Sequence, residues 1–396
     1  MHPVLFTIPG INLSVPAYGF MMMLGFLTAI LWAAHRAQRS GANPDVVLNC
    51  GFIALIGGVA GARAMYVVHY WEQFALRGSP GQIIWGILNV SEGGLEFYGG
   101  FIAATLGVVL YMVLWKHSLR WYVDITAPSA MLGLAFGRLG CFLNGCCWGG
   151  ACTLPWAVAF PYASPPHFHQ MVIEGEARAS VPAELVYTLP DGRGVPIRRE
   201  HLRLSEQTID EVAAREAEVV EAIAKIEREL ATADPARKAA LERQLDEARG
   251  ALKQIGEQIG DVRTQMRKFG LTYPELQAKA AQHHSAPLHP TQLYDAFAAL
   301  LLALLLDRFY WLRRRDGQVL CLLLMLQPLA RFLVEVIRVD NPTDTLQWFT
   351  ISQAIALGLL PAGIIGWLII RNLPPRSPRA QIWVPPEEPK RAGAKA

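Results

Sequence analysis

Arg138 lies among five glycines and a group of thiols in the stretch Gly-Arg-Leu-Gly-Cys-Phe-Leu-Asn-Gly-Cys-Cys-Trp-Gly-Gly, residues 137–150. A guanidinium that closes an apolar run costs at least about 2.5 kcal/mol at the centre of a bilayer, so it marks a pathway or an anionic ligand. The plainer alternative is a glycine-rich helix face with one arginine snorkelling to the interface. Arg331, Glu335 and Arg338 repeat the theme, because positions i, i+4 and i+7 share one helix face. Guanidinium groups grip phosphate through a bidentate fork, so this chemistry is recognition of an anion. A structural ion pair of Glu335 with Arg331 or Arg338 accounts for one arginine and leaves the others to a ligand.

Four of the six cysteines fall between Cys141 and Cys152. Cys141, Cys146, Cys147 and Cys152 are compatible with one or two disulfides in an oxidising compartment. Zinc is a second reading, although adjacent Cys146 and Cys147 do not have the spacing of a ribbon or finger. A thiolate favoured by Arg138 that transiently accepts a transferred group is the third.

The elements that hold these residues are membrane helices. Hydrophobic residues make up 52% of the 396, and charged residues only 17%. The net charge of +3 gives no reason to expect nucleic acid. Seven apolar runs are long enough to span about 30 Å of hydrocarbon, at 17–34, 48–68, 98–115, 125–146, 293–312, 318–337 and 352–370. The fourth is interrupted by Pro128 and Arg138. The amino terminus has neither a basic leader nor a small-residue cleavage site, so the first run is read as a span rather than a removable signal. Arginines and lysines crowd the loops after runs one, three and five and the tail after run seven, which predicts an outer N-terminus and a cytoplasmic C-terminus. The expected class is therefore an all-α polytopic membrane protein with seven spans.

Residues 164–287 break the pattern. Ile209, Val212, Glu216, Val219, Ile223, Ile226 and Leu230 fall at alternating spacings of three and four. So do Leu241, Leu245, Ala248, Leu252, Ile255, Ile259, Val262, Met266 and Phe269. Two such seams around Asp234-Pro235 predict an antiparallel coiled-coil hairpin outside the membrane. A solvated spacer or docking arm, with an unknown partner, is its expected role. The organisation expected is a membrane domain in two stretches, residues 1–163 and 288–373, with an insertion at 164–287 between them and a cytoplasmic tail at 374–396.

In that topology Tyr18, Arg63, Tyr98, Gly99, Gly100, Arg138, His289, Gln292, Tyr294, Arg331, Glu335 and Arg338 gather in one outer layer. Several arginines at one depth beside a single carboxylate point to an anionic ligand, and the anion available there is a phospholipid head group.

The sequence also resembles the prolipoprotein diacylglyceryl transferase family. The resemblance rests on Gly137-Arg-Leu-Gly-x-Phe-x-Asn-Gly145 followed by Trp148-Gly149. Tyr18-Gly19, Gly61-x-Arg63, Gly93-Gly94-x-x-Phe97-x-Gly99-Gly100 and Asp124-x-x-Ala127-Pro128 agree in the same order. So do Leu154-Pro-Trp-Ala-Val-x-Phe-Pro161, His289-Pro-Thr-Gln-Leu-Tyr294 and Arg331-x-x-x-Glu335-x-x-Arg338. It implies a bacterial inner-membrane enzyme that moves the diacylglyceryl group of phosphatidylglycerol to the lipobox cysteine in the signal-peptide region of a preprolipoprotein. A thioether forms and glycerol phosphate leaves, without a metal or organic cofactor.

Under this resemblance Arg138 and Arg331 stabilise the phosphate, with Arg63 or Arg338 assisting. Asn144 orients the head group, and Glu335 holds an arginine in register. The chain departs from the family at Tyr98, where a histidine proposed as general base is usual, and at Cys141 and Cys146, where asparagine and an acidic residue are usual. A tyrosine with an ordinary pKa of about 10 is a poor base, and His289 is the other imidazole available to move a proton. Two alternatives follow from these departures. One is a divergent relative that passes a phospholipid-derived group to another acceptor; the other is a non-catalytic lipid-binding or scaffold protein.

Overall fold

A computed structural model describes residues 4–8, 13–75, 79–90, 93–172, 181–189, 192–232, 234–340 and 349–384. The last twelve residues of the expected tail, 385–396, lie outside the described residues. The chain divides into two compact units, one of 2–143 with 291–396 and one of 144–290.

The first unit begins with a short antiparallel pair, β1 (Val4–Ile8) and β2 (Leu13–Pro16). Its helices are α1 (Ala17–Arg39), α2 (Pro44–His69), α3 (Trp71–Ala75), α4 (Pro80–Leu88), α5 (Phe97–Leu114) and α6 (Leu119–Asn144). The second unit supplies α7 (Pro165–Val172), α8 (Glu206–Thr232), α9 (Pro235–Phe269) and α10 (Tyr273–Gln282). The chain then returns to the first unit with α11 (Thr291–Leu312), α12 (Gln318–Ile337) and α13 (Ile351–Asn372).

Six helices among the described residues, α1, α2, α5, α6, α12 and α13, are long and apolar enough to cross a membrane. The expected seventh, α11, is a helix of 22 residues, but every eighteen-residue stretch of it contains Asp295, Asp307 and Arg308.

Helix α6 runs through the middle of its unit. Its Trp121, Tyr122, Ile125 and Met131 share one core with Ala33 and Ala37 of α1, Met112 of α5, Leu306 and Tyr310 of α11 and Val319 of α12. Pro128 does not break it, contrary to the interruption expected there, because neighbouring helices can take up the backbone group a proline leaves unpaired. The buried carboxylate of Asp124 accepts from the amides of Gly317 (2.7 Å) and Leu320 (3.0 Å), so α6 caps the start of α12. Buried Arg36 of α1 pairs with Asp307 of α11 and donates to the carbonyl of Ile125, 3.0 Å away. These two buried polar ties fix α1, α6, α11 and α12 in register. At the same end the start of the tail folds back: Ser377 donates to Asp316 (2.9 Å) and Trp383 to the carbonyl of Gly41 (2.8 Å).

In the second unit α8 and α9 run antiparallel. Arg237 pairs with Glu229 near their junction, Arg249 with Glu227 farther along, and Arg263 with Glu216 nearer the base. All of the seam positions named from the sequence are buried or half-buried. The inner ends carry Ile209, Ile259 and Val262 into a core with Tyr162, Leu185, Ile197, Tyr273 and Leu276. A small hairpin, β3 (Val186–Thr188) with β4 (Gly194–Pro196), lies against it. The unit takes in 144–163 as well as the expected insertion, because the chain after α6 is zipped onto 283–289. Cys152, Val158 and Tyr162 donate to the carbonyls of Pro287, Leu288 and His283 at 2.9, 3.0 and 3.0 Å.

Candidate active site

Helix ends of the first unit bring together Arg138 of α6, Asp295 of α11, Arg331 and Glu335 of α12, and Arg338, which caps α12. One oxygen of Asp295, Oδ2, is shared: Arg138 Nε lies 3.3 Å from it and Arg331 Nη1 donates to it at 2.9 Å. The other terminal nitrogen of Arg331 meets Glu335 Oε2 at 2.6 Å, one turn farther along the helix. Glu335 Oε2 also lies 3.3 Å from Arg338 Nη1, and its Oε1 accepts from the hydroxyl of Thr350 at 3.0 Å. Arg338 closes the row with a bidentate pair to Asp340, at 2.9 and 3.1 Å.

The expectation of one carboxylate among several arginines is corrected here: three guanidiniums meet three carboxylates, and the row is formally neutral. Asp295 was missed in the sequence. Its signal was an acidic residue in the first turns of an apolar helix, one position beyond the His289-to-Tyr294 motif. The pairing also ranks the arginines. Arg338 is engaged on two carboxylates, and Arg331 is held by Asp295 and Glu335. Arg138 touches Asp295 through Nε, and among the described residues no hydrogen bond engages its two Nη groups. Its side chain is 18% exposed, so those donors face a region that is neither bulk water nor packed core.

Arg63 is employed differently. Its five N–H donors go to five backbone carbonyls: Ile87, Gly93, Gly94, Gly86 and Asn89, at 2.6 to 3.0 Å. The last carbonyls of α4 have no partner within that helix, and Arg63 satisfies them, clamping α4 and the 93–94 turn to α2. Its planar cation also lies 5.5 Å from the ring of Tyr66 and 5.6 Å from that of Phe74. An arginine saturated in this way has no fork left for phosphate, so the assisting role expected of it does not fit.

Gly99 and Gly100 are likewise explained by packing. A Cβ on Gly99 would stand 2.5 Å from the carbonyl oxygen of Gly61, and one on Gly100 would stand 2.7 Å from that of Gly58. These glycines let α5 and α2 touch backbone to backbone. Tyr98, beside them, is 48% exposed and its ring meets that of Phe97. The exposed ring of Tyr18 lies against Gly140 of α6, where a Cβ would come within 3.3 Å of Tyr18 Cδ2. Gln292 is buried and Tyr294 half-buried in the first turn of α11, and Asp295 opens its second turn.

Asn144 is half-buried and ends α6, where Gly145 turns the chain in the left-handed region at φ +82. In the second unit His289 is held through its backbone, accepting from Gly149 and donating to Gly150, both at 3.0 Å. Cys141 and Cys152 are buried, and Cys146 and Cys147 are half-buried. No disulfide joins any of the six cysteines.

This arrangement can hold a monoanionic phosphodiester on Arg138, with Arg331 behind it, at the end of an apolar helix bundle. The sequence matches the family described as prolipoprotein diacylglyceryl transferase over residues 3–190 and 247–369. The chain belongs to that family. The unmatched gap, 191–246, takes in β4, all of α8 and the start of α9, so most of the hairpin falls outside the residues that match the family. Three relatives carry the name phosphatidylglycerol–prolipoprotein diacylglyceryl transferase. That of Rhodopirellula baltica is 37% identical over 163 residues, which is 41% of this chain and 33% of the relative. That of Dehalococcoides mccartyi is 38% identical over 151 residues, covering 38% and 54%. That of Clostridium tetani is 33% identical over 172 residues, covering 43% and 65%. The aligned region thus spans a third to two thirds of these relatives' lengths. Family membership and the six apolar helices together make this a multi-pass membrane protein.

Proposed function

We propose that the protein transfers the diacylglyceryl group of phosphatidylglycerol to the lipobox cysteine thiol of a preprolipoprotein. The observation that carries this reading is the Arg138–Asp295–Arg331 bridge, with the Nη donors of Arg138 left to a ligand, built on the family's own signature. In the reaction the thiol sulfur attacks the glycerol carbon that bears the phosphate ester. A carbon–sulfur bond forms, the carbon–oxygen bond breaks, and glycerol phosphate departs with that oxygen.

Charge moves onto the phosphate as the bond breaks, and preorganised guanidinium donors act where charge develops. Arg138 grips the phosphate, Arg331 adds its field, and Glu335 holds Arg331 in register. The thiol proton is balanced by the departing group, a monoester whose second pKa near 6 lets it shed that proton to water at neutral pH. Proton transfer is therefore not assigned to Tyr98, whose exposed ring faces Phe97.

The finer membrane arrangement belongs to the same proposal. Helix α11 serves as a seventh span because its carboxylates are neutralised inside the bundle, Asp295 by Arg138 and Arg331, and Asp307 by Arg36. The basic loops put the N-terminus outside and the C-terminus in the cytoplasm of a bacterial inner membrane. The hairpin, as a coiled coil, stands on the outer side, and the signal-peptide region of the precursor is the protein partner. Arg138→Ala tests the site: transfer from phosphatidylglycerol to a lipobox peptide should disappear while the protein stays inserted. Retained transfer would remove Arg138 from the mechanism.

A further inference from the structure

The end of the bundle opposite Asp295 carries a cationic cavity, of about 500 Å³, where α11 turns into α12 against the end of α13. Thirteen helical residues separate Gln318 from Arg331, so it lies about 20 Å along α12 from the candidate active site. Arg313 is neutralised there, with Nε 3.2 Å from Asp124 and Nη2 3.2 Å from Asp316, and it forms the cavity's fixed floor. Arg314, Arg315 and Arg371 are different: among the described residues no carboxylate pairs with any of them. The turn that presents two of them is rigid, because Gln318 Oε1 accepts from the amides of both Arg314 (2.9 Å) and Arg315 (3.0 Å). Arg315 also donates to the carbonyl of Leu373, tying the turn to the end of α13. One wall is aromatic, with Phe309 and Trp367 stacked at 6.1 Å. One and two turns below Phe309, Leu305 and Leu301 are exposed on the apolar flank of α11.

We propose that this cavity is a binding site for the phosphate head group of an anionic phospholipid, separate from the site where the transferred lipid reacts. Three uncompensated guanidiniums around one cavity suit a phosphate. A Trp and Phe wall at the level where charge gives way to hydrocarbon suits the interface of a bilayer. The exposed leucines continue that wall in the direction the acyl chains must run. A soluble phosphate ester shares the head-group chemistry but gains nothing from the leucine flank. Basic pockets between membrane helices are known to take anionic head groups, and here the pocket has both a rigid turn and an apolar approach.

The test uses the full chain in phosphatidylcholine nanodiscs with a photoactivatable phosphatidylserine, which is anionic and is not the proposed donor. Crosslinks are expected within 305–318 and 364–373. With Arg314→Gln, Arg315→Gln and Arg371→Gln combined, binding should weaken on the order of a hundredfold, taking each arginine's usual contribution near an anionic surface. The exposed single variant Arg371→Gln should weaken it on the order of fivefold and guards against a folding defect in the triple variant. Unlabelled phosphatidylserine should displace the probe and glycerol phosphate should not. Equal labelling by a phosphatidylcholine probe would overturn anion selectivity, and unchanged labelling in both variants would overturn the site. Displacement by glycerol phosphate would overturn the lipid as ligand and leave a soluble phosphate ester in its place. Transfer activity is read separately, so failure of the transferase reading does not imitate failure of this one.

Discussion

Asp295→Asn isolates the charge of the bridging carboxylate while keeping its shape. Arg138 Nε and Arg331 Nη1 touch the same oxygen at 3.3 and 2.9 Å, so the two nitrogens are no more than about 6 Å apart. At an effective dielectric of about 20, two unit charges at that distance repel by about 3 kcal/mol. In the native protein Asp295 offsets this; in the variant an entering anion must do so. An anion therefore binds more tightly to the variant by at most about hundredfold, and by about tenfold once the partial exposure of both arginines is allowed for. The assay is inhibition of transfer by glycerol phosphate, together with its direct binding measured by calorimetry. Stronger inhibition should be accompanied by a lower kcat, because the leaving group is released more slowly. Buried pairs are weakly screened, so the effect should persist at about 0.15 M salt. Removing one partner from a buried ion network costs on the order of 3–5 kcal/mol, so a lower Tm is expected as well. Unchanged or weaker glycerol phosphate affinity in a folded variant would refute the idea that Asp295 neutralises a phosphate-binding pair.

Three further outcomes follow from other regions of the chain. Arg63→Met should destabilise the protein by about 3–5 kcal/mol, since five buried or half-buried carbonyls lose a charged donor. Thermal unfolding in detergent and hydrogen exchange of 79–96 would show it, and an unaltered exchange rate there would contradict the clamp. Burial, with smaller contributions from His283 and His284, pushes the His167 imidazole down to about 4. The unfolded chain then binds more protons than the folded one between about pH 6.5 and 4, so stability is full above that window and falls by about 3 kcal/mol as pH drops through it. His167→Leu should flatten this slope in pH-dependent thermal unfolding. Replacing 223–253 with a short glycine turn should leave transfer intact. Removing all of 206–268 should unfold 144–290, because Ile209, Ile259 and Val262 each contribute about 2–4 kcal/mol to its core; limited proteolysis separates the two results.

What could be read from the sequence follows from what kind of partner each residue has. Periodicity revealed the hairpin seam because burial there repeats every three or four residues, and Asp234-Pro235 punctuates the chain by local geometry alone. Arg331, Glu335 and Arg338 were legible because their spacing sets them on one helix face, although Asp295 and Asp340 share the two arginines with Glu335. Arg63 was not, because its partners are carbonyls, which every residue carries and no sequence pattern announces. The same holds for Gly99 and Gly100, since a glycine spacing looks alike whether a ligand or another helix approaches. Asp295 left no local pattern, because its partners Arg138 and Arg331 sit on other helices, although a carboxylate so early in an apolar helix needs a cation. The short strands β1 and β2 fall outside the all-α expectation, and pairs of four or five residues leave little periodicity to find.

The central claim is tested most directly by purified protein in detergent, labelled phosphatidylglycerol and a lipobox peptide, with the cysteine-to-serine peptide as control. The account predicts labelled peptide that depends on the acceptor thiol, released glycerol phosphate in equal amount, and loss of both with Arg138→Ala. Folded protein that binds phosphatidylglycerol and yields no labelled peptide would contradict it.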